Sequence, residues 1–358
     1  MPLSTRFLGA WFLVLVCSLA APAVAAPDST PDATQKSADD AGSKPLPSTT
    51  ELLKLPAIPN ERCLKCHNDE EEKTSEREDG TEINIYIDRE RFEHSVHGKQ
   101  PCVGCHNTVK KANHELPLPK SIGCVQCHMM TAEAQRGSAD PKYKRLDVVL
   151  AQIDGYMNSV HARPNLMDQS RTNATCYDCH DAHAIGTIGS AARAEHRSRN
   201  ADVCGRCHAK EKDKYKTSVH GRAIIEGHDI KAAVCSDCHT PHNIDSPDKD
   251  KIKLTITGNC GTCHEKQVRT YFASYHGQVV RLGYTHTAKC YDCHGSHGIM
   301  KVKDPGSKVH PDNRLETCRQ CHKYAPPGFL GFHADGDVND FENYPEMWVA
   351  KRFMDLLI

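Results

Sequence analysis

One five-residue pattern constrains this chain more than anything else in it. Cys-x-x-Cys-His occurs nine times, beginning at Cys63, Cys102, Cys124, Cys176, Cys204, Cys235, Cys260, Cys290 and Cys318. The nine copies take eighteen of the nineteen cysteines; the other, Cys17, lies in an apolar segment near the N-terminus. A single C-x-x-C could be a zinc half-site or a redox dithiol, and many thiols in an exported chain could form disulfides. None of these alternatives accounts for the histidine that follows the second cysteine every time. C-x-x-C-H is the attachment pattern of c-type haem: two thiols add to the porphyrin vinyl groups and the histidine becomes the proximal ligand of the iron. The expected attachment pairs are Cys63/Cys66, Cys102/Cys105, Cys124/Cys127, Cys176/Cys179, Cys204/Cys207, Cys235/Cys238, Cys260/Cys263, Cys290/Cys293 and Cys318/Cys321. The expected proximal ligands are His67, His106, His128, His180, His208, His239, His264, His294 and His322, for nine covalently bound haem c groups.

With that complement, the chain resembles a periplasmic multihaem cytochrome c. Composition fits a protein whose core is largely cofactor. Of 358 residues, 38% are hydrophobic and only 6% aromatic. Each haem has little more than about thirty residues of mature chain to itself. Buried macrocycles would supply the apolar area that side chains do not, so haem-free chain is expected to be largely unfolded. A formal net charge of -1 argues against nucleic acid as a partner. The expected fold is mostly α and irregular: an elongated, haem-stacked array of short helices and loops with little β.

Residues 1–26 carry Arg6, an apolar run from Phe7 to Ala20, and the small residues Ala23-Val24-Ala25-Ala26, the layout of a secretory signal peptide. A retained anchor is the alternative, although the run is short for a membrane span. Val16 before Cys17 disfavours lipidation. Residues 27–60, rich in Pro, Ser, Thr, Asp and Lys, read as a flexible linker. The haem domain is placed at 61–322 and a tail at 323–358. Within the domain, a charged insertion starting Asp69-Glu70-Glu71-Glu72 contains Ile83-Asn84-Ile85-Tyr86-Ile87, which alternates like a strand, one arm of a small hairpin. The acidic part reads as a solvated loop, with a docking patch for a basic partner as the alternative.

From Cys176 onward the spacing is regular, and internal repeats take priority over local features. The unit is C-x-x-C-H, then a histidine in Ser-Val/Tyr-His-Gly, then C-x-x-C-H-x-x-H. Full copies run Cys204–His242 and Cys260–His297. Degenerate copies run Cys124–His183, with Ser159-Val160-His161, and Cys63–His114, with Ser95-Val96-His97-Gly98; Cys318 starts a half unit. Repetition marks the second axial ligands. His97, His161, His220 and His276 share one slot; His183, His242 and His297 share the C-H-x-x-H slot, with His114 a displaced counterpart. Neutral imidazole suits this role. For the ninth position His333 is favoured over His310 and His94. His310 and His196, each eight residues before a haem cysteine, fit a structural role equally well. Met129 and Met130 have no repeated counterpart.

In the tail, Pro345 suits the first turn of a helix through Trp348, Phe353, Met354, Leu356 and Leu357. It is too short to span a bilayer, and a cap on the last haem is the plain alternative. Phe332-His333-Ala334-Asp335, Tyr344-Pro345 and Phe353-Met354 resemble the junction between the haem domain of quinone-linked multihaem cytochromes and a following membrane cytochrome b. The resemblance implies an exported, periplasmic electron carrier of anaerobic respiration, possessing a signal peptide. Its implied partners are a membrane cytochrome b or quinol dehydrogenase upstream and a periplasmic or outer-membrane redox protein downstream, with peripheral membrane contact through 344–358. The competing expectation is a multihaem nitrite- or hydroxylamine-type reductase with one open iron. Self-assembly into a haem filament is a third. All nine motifs end in His, and no catalytic triad, phosphate loop or flavin fingerprint accompanies them, so no catalytic residue is expected and an electron-transfer protein is favoured over an enzyme.

Overall fold

The computed structural model describes residues 54, 57–70, 73–76, 80, 82–114, 122–135, 142–331, 333 and 336–357. The expected signal peptide 1–26, Cys17 and nearly all of the linker 27–60 lie outside them. The chain is helical in short pieces. In order come α1 (Asn60–His67), β1 (Thr74–Glu76), β2 (Glu82–Asn84), α2 (Arg89–Glu93), α3 (Cys102–Cys105), α4 (Cys124–Ala134), α5 (Lys142–Met157), α6 (Cys176–Cys179) and α7 (Ala191–Ser198). They are followed by α8 (Asn200–Gly205), α9 (Ala209–Thr217), α10 (Val219–Ile225), α11 (Cys235–His239), α12 (Asp250–Cys260), α13 (Glu265–Ala273), α14 (Tyr275–Arg281), α15 (Cys290–His294), α16 (Arg314–Arg319) and α17 (Pro345–Leu357). The fold is mostly helical with little β, as expected. One two-stranded hairpin is the only sheet among the described residues.

The hairpin pairs Thr74 with Asn84 and Glu76 with Glu82. The alternating run at 83–87 is therefore strand only as far as Asn84. Beyond it the chain leaves the ladder because Ile87 N–H donates to the carbonyl of His67, at the end of α1.

α1, α3, α6, α11 and α15 stop at the histidine of their motif or one residue before it, whereas α4 runs on to Ala134. After α11 and α15 the next residue takes positive φ, Thr240 at 62° and Gly295 at 83°. Only glycine adopts that conformation without steric cost. The repeat thus places a backbone reversal directly after these two even-numbered motifs, and Thr240 holds it under strain.

Side chains alone make a thin core. Thirteen apolar side chains are buried among the described residues, and seven of them gather into two small clusters. Ile58, Val103 and Val109 pack beside Cys63; Ala201, Tyr215, Ile224 and Val234 pack beside Cys235. Both clusters sit against motif cysteines, so the polypeptide's apolar packing is concentrated where the attachment points are.

A repeated set of contacts joins these pieces. An aromatic residue stands three positions before the serine of each Ser-x-His segment: Phe92, Tyr156, Tyr215 and Tyr271. The three tyrosine hydroxyls donate to Ala174, Ala233 and Ala288 carbonyls at 2.8, 2.8 and 2.7 Å, each two residues before the first cysteine of an even-numbered motif. Phe92 fills the same slot without a hydroxyl and is buried. Ser218 and Ser274 cap α10 and α14 by accepting from Gly221 and Gly277 N–H. A Cβ at either glycine would stand 2.0 Å from the carbonyl oxygen of Tyr215 or Tyr271, so glycine lets each helix start tightly against the one before it.

Candidate functional site

The structure brings the predicted histidines together in pairs. Each of the eight repeated candidates faces one proximal histidine. Ring centres are 6.0 Å apart for His67–His114, 6.2 Å for His106–His183, 6.0 Å for His128–His97 and 5.9 Å for His180–His242. They are 6.3 Å apart for His208–His161, 6.0 Å for His239–His297, 6.1 Å for His264–His220 and 6.0 Å for His322–His276. No expected distal histidine is used twice. His294 and His333 remain outside these eight pairs, and the His333 ring packs 5.1 Å from Tyr344.

These separations test whether the residues fit an axial pair. A metal–imidazole bond of about 2 Å on each side, plus about 1 Å from nitrogen to ring centre, puts two rings on opposite sides of one metal about 6 Å apart. The observed distances match. Among the described residues no three or more His, Cys, Asp or Glu side chains converge as a bare-ion site. The histidines come in twos, a number that fits the two axial positions of a porphyrin iron.

The pairing interlocks the repeats. His97, His161, His220 and His276 serve motifs three, five, seven and nine, each in the unit after their own. His183, His242 and His297 serve motifs two, four and six, each in the unit before their own. Backbone bonds fix this exchange: Val96, Val160 and Val219 N–H groups donate to the carbonyls of Ile185, Ile244 and Ile299 at 2.9, 2.9 and 2.8 Å. Each acceptor lies two residues past a C-H-x-x-H histidine. Two ligands for consecutive motifs are thereby held side by side.

Local hydrogen bonds aim the rings. His67 Nδ1–H donates to the Ile85 carbonyl at 2.9 Å, so the charged insertion folds back to hold the first proximal histidine and leaves Nε2 free. His242 Nδ1 contacts Gln152 Oε1. Burial is the leading cause that lowers the pKa of His97, His106, His128, His161, His183, His220, His239, His242, His276 and His297. It takes His180, next to His196 and His242, down to about 4. Burial thus keeps these rings in the neutral form that has a lone pair to give.

The thiols form a series in sequence order. Side-chain hydrogen bonds join Cys63 with Cys102, Cys124 with Cys176, Cys204 with Cys235, and Cys260 with Cys290. Between these couples, burial and then Cys127 and Cys124 push the Cys105 thiol up. Burial and then Cys204 do the same to Cys179. Burial and then Cys260 raise Cys238 to about 11. Motifs one to eight are therefore neighbours in unbroken succession. None of the eighteen motif cysteines is in a disulfide.

The sequence treats both thiols of a motif alike; the structure separates them. In every thiol couple it is the first cysteine of a motif that meets the first cysteine of the next. The second cysteine stands three residues further along the same short turn, outside that contact. Cys66, Cys105, Cys179, Cys207, Cys263 and Cys321 are exposed, and Cys127, Cys238 and Cys293 are half-buried. Their surroundings differ from motif to motif. Cys207 lies near Cys179, Cys263 near Cys238, and Cys293 near the Tyr271 hydroxyl. The Cys66 carbonyl accepts from Asp69 N–H at 3.3 Å, and Cys321 N–H donates to the Cys318 carbonyl at 3.2 Å, bonds that hold the backbone and leave the thiol side uncovered. In six of the nine motifs the polypeptide thus covers the first cysteine better than the second.

Several positioning residues were not anticipated. Asp178, Asp237 and Asp292, the third residue of their motifs, accept from the backbone N–H of Thr175, Val234 and Lys289 at 2.7, 2.8 and 2.8 Å and so start the motif helices. Arg197 grips Asp237 with two nitrogens at 3.0 and 2.8 Å, and buried Lys289 pairs with Asp292 at 3.0 Å. Asn60 donates to Gln100 O and accepts from Cys102 N–H, tying motif one to motif two. The recurring Asp and aromatic residues were visible as repeat positions, but only their contacts reveal what they do. Of the weaker histidine candidates, His94 bonds the Glu90 carbonyl of its own helix and His310 lies 3.4 Å from Asp312. His196 stacks 5.3 Å from His180, closer than any of the eight facing pairs.

No helix among the described residues is long and apolar enough to cross a membrane. α17 begins at Pro345 as expected, and Val349, Phe353, Met354, Leu356 and Leu357 are exposed on it. Phe332, Ala334 and Asp335 of the tail lie outside the described residues. No family model, no curated protein and no solved structure matches the chain.

Proposed function

We propose that the chain is a nonahaem c-type cytochrome that carries electrons through bis-histidine haems in a bacterial periplasm. The observation that carries this reading is the one-to-one facing of eight C-x-x-C-H histidines with eight others at about the span of two axial bonds. The cysteine pairs would hold each haem covalently, and the histidine pairs would occupy both axial positions. Bound haem supplies a reversible one-electron change at iron. The chain's own part is to close the irons to substrate, keep the rings neutral and set the attachment points in line. His294 and His333 are the two expected axial histidines left over from the eight facing pairs, and His333 would be the second ligand of motif eight.

The wider setting follows from the sequence. A secretory signal at 1–26 directs the protein to the periplasm, where it would accept electrons from a membrane cytochrome b or quinol dehydrogenase and pass them to a periplasmic or outer-membrane redox protein. The exposed apolar side chains of α17 are the surface for contact with the membrane partner or the bilayer.

The test is denaturing mass spectrometry of the exported protein, followed by carbon monoxide titration of its reduced form. Nine haem masses and no carbon monoxide shift are expected. Fewer haems would overturn the cofactor count. A shift worth one haem would identify an open iron and turn attention to nitrite and hydroxylamine reduction.

A further inference from the structure

The eight facing pairs fall into two geometries, and the division follows the sequence slot of the distal histidine. His67–His114, His106–His183, His180–His242 and His239–His297 have ring planes 14°, 12°, 19° and 18° apart. His128–His97, His208–His161, His264–His220 and His322–His276 have planes 47°, 54°, 53° and 40° apart. Nothing falls between. Distal histidines from the C-H-x-x-H slot, with His114, lie nearly parallel to their partners, and those from the Ser-x-His slot lie strongly tilted.

The backbone explains the split. His97, His161, His220 and His276 follow a capping serine and are fixed by the turn that starts there, with His220 and His276 in the first turn of α10 and α14. His183, His242 and His297 lie on the loop beyond a motif helix. The facing histidines do not divide so simply: His208 and His264 are the N-caps of α9 and α13, but His128 of the tilted class lies within α4, as His239 of the near-parallel class lies within α11.

The structure assigns two electronic classes of haem to this chain, alternating from motif two to motif seven, with the class set by which repeat slot supplies the second histidine. This rests on the bis-histidine reading above. An imidazole donates π density along the normal to its ring, so parallel rings act together on one iron d orbital. Tilted rings divide their effect between two and bring those orbitals closer in energy. The axial pair is a lever on the electronic character of haem iron, and here it is set by ring angle with ligand identity unchanged. Motifs two, four and six are near-parallel; three, five, seven and nine are tilted. Motif one joins the near-parallel class. That gives four near-parallel and four tilted pairs, with motif eight outside the two slots.

Low-temperature electron paramagnetic resonance of the fully oxidised full chain tests this, with haem quantified on the same sample. Two families of low-spin ferric signal are expected, a well-resolved rhombic set and a more anisotropic set with a larger maximum g, each worth about four of the nine haems. His297→Ala should remove about one share from the rhombic family and His220→Ala about one from the anisotropic family. A single low-spin family, or variants that deplete the opposite families, would overturn the alternation while leaving bis-histidine ligation intact. Dominant high-spin signals, or absent haem, would instead sink the bis-histidine reading itself.

Discussion

At the scale of single residues, on the proposed bis-histidine reading, one histidine would decide whether an iron is a conductor or a potential site of chemistry. Removing the second ligand opens a coordination position, so His297→Ala, His220→Ala and His333→Ala are each expected to make about one haem in nine high-spin and reactive to carbon monoxide. His94→Ala and His310→Ala should leave every iron closed, because those rings bond the Glu90 carbonyl and lie beside Asp312. Optical titration of the reduced variants checks all five. The eight paired distal histidines were legible in the sequence because they recur in fixed slots. Their partners were not. His128 is served by His97, which precedes it, and His106 by His183, two motifs downstream. Spacing along the chain carries no information about that exchange; the Val96–Ile185 type of backbone bond does. Nor does the motif distinguish its two thiols, whose unequal cover at Cys63 and Cys66 comes from the approach of Cys102.

At the scale of elements, most local structure follows from short signals. The motif gives one or two helical turns, and proline before Asn60 and Cys102 fixes an extended entry. The alternating run at 83–87 suggested a longer strand than forms. Its second half is claimed by His67 instead of by β1, a tertiary preference that alternation cannot express. The glycine after His220 was visible as part of the repeat, but its reason is steric. Gly221→Ala drives a methyl into the Tyr215 carbonyl and is expected to cost about 1–3 kcal/mol, readable as a lower midpoint in chemical denaturation of the holoprotein. In the tail, the exposure of Phe353, Leu356 and Leu357 on α17 leads to a functional expectation. Deleting 344–358 should release the protein from membranes co-fractionated with its partner while its haem spectrum persists. Unchanged membrane association would remove α17 from that role.

At the scale of the whole molecule, the thirteen buried apolar side chains among the described residues are too few to hold that length of chain against its conformational entropy. Haem-free protein is therefore expected to lack the helical circular dichroism of the holoprotein, and a native-like helical spectrum without haem would contradict a cofactor-built core. The exchange of histidines between units has a further consequence, for the order of events during synthesis. Chains emerge N-terminus first. His128, His208, His264 and His322 find their second ligands already made, whereas His106, His180 and His239 stay half-complete until His183, His242 and His297 have followed them. If the proposed haems are bound, the nascent protein matures with a built-in delay, and a chain cut short between an even-numbered motif and the histidine that faces it would leave that iron open to whatever ligand arrives first.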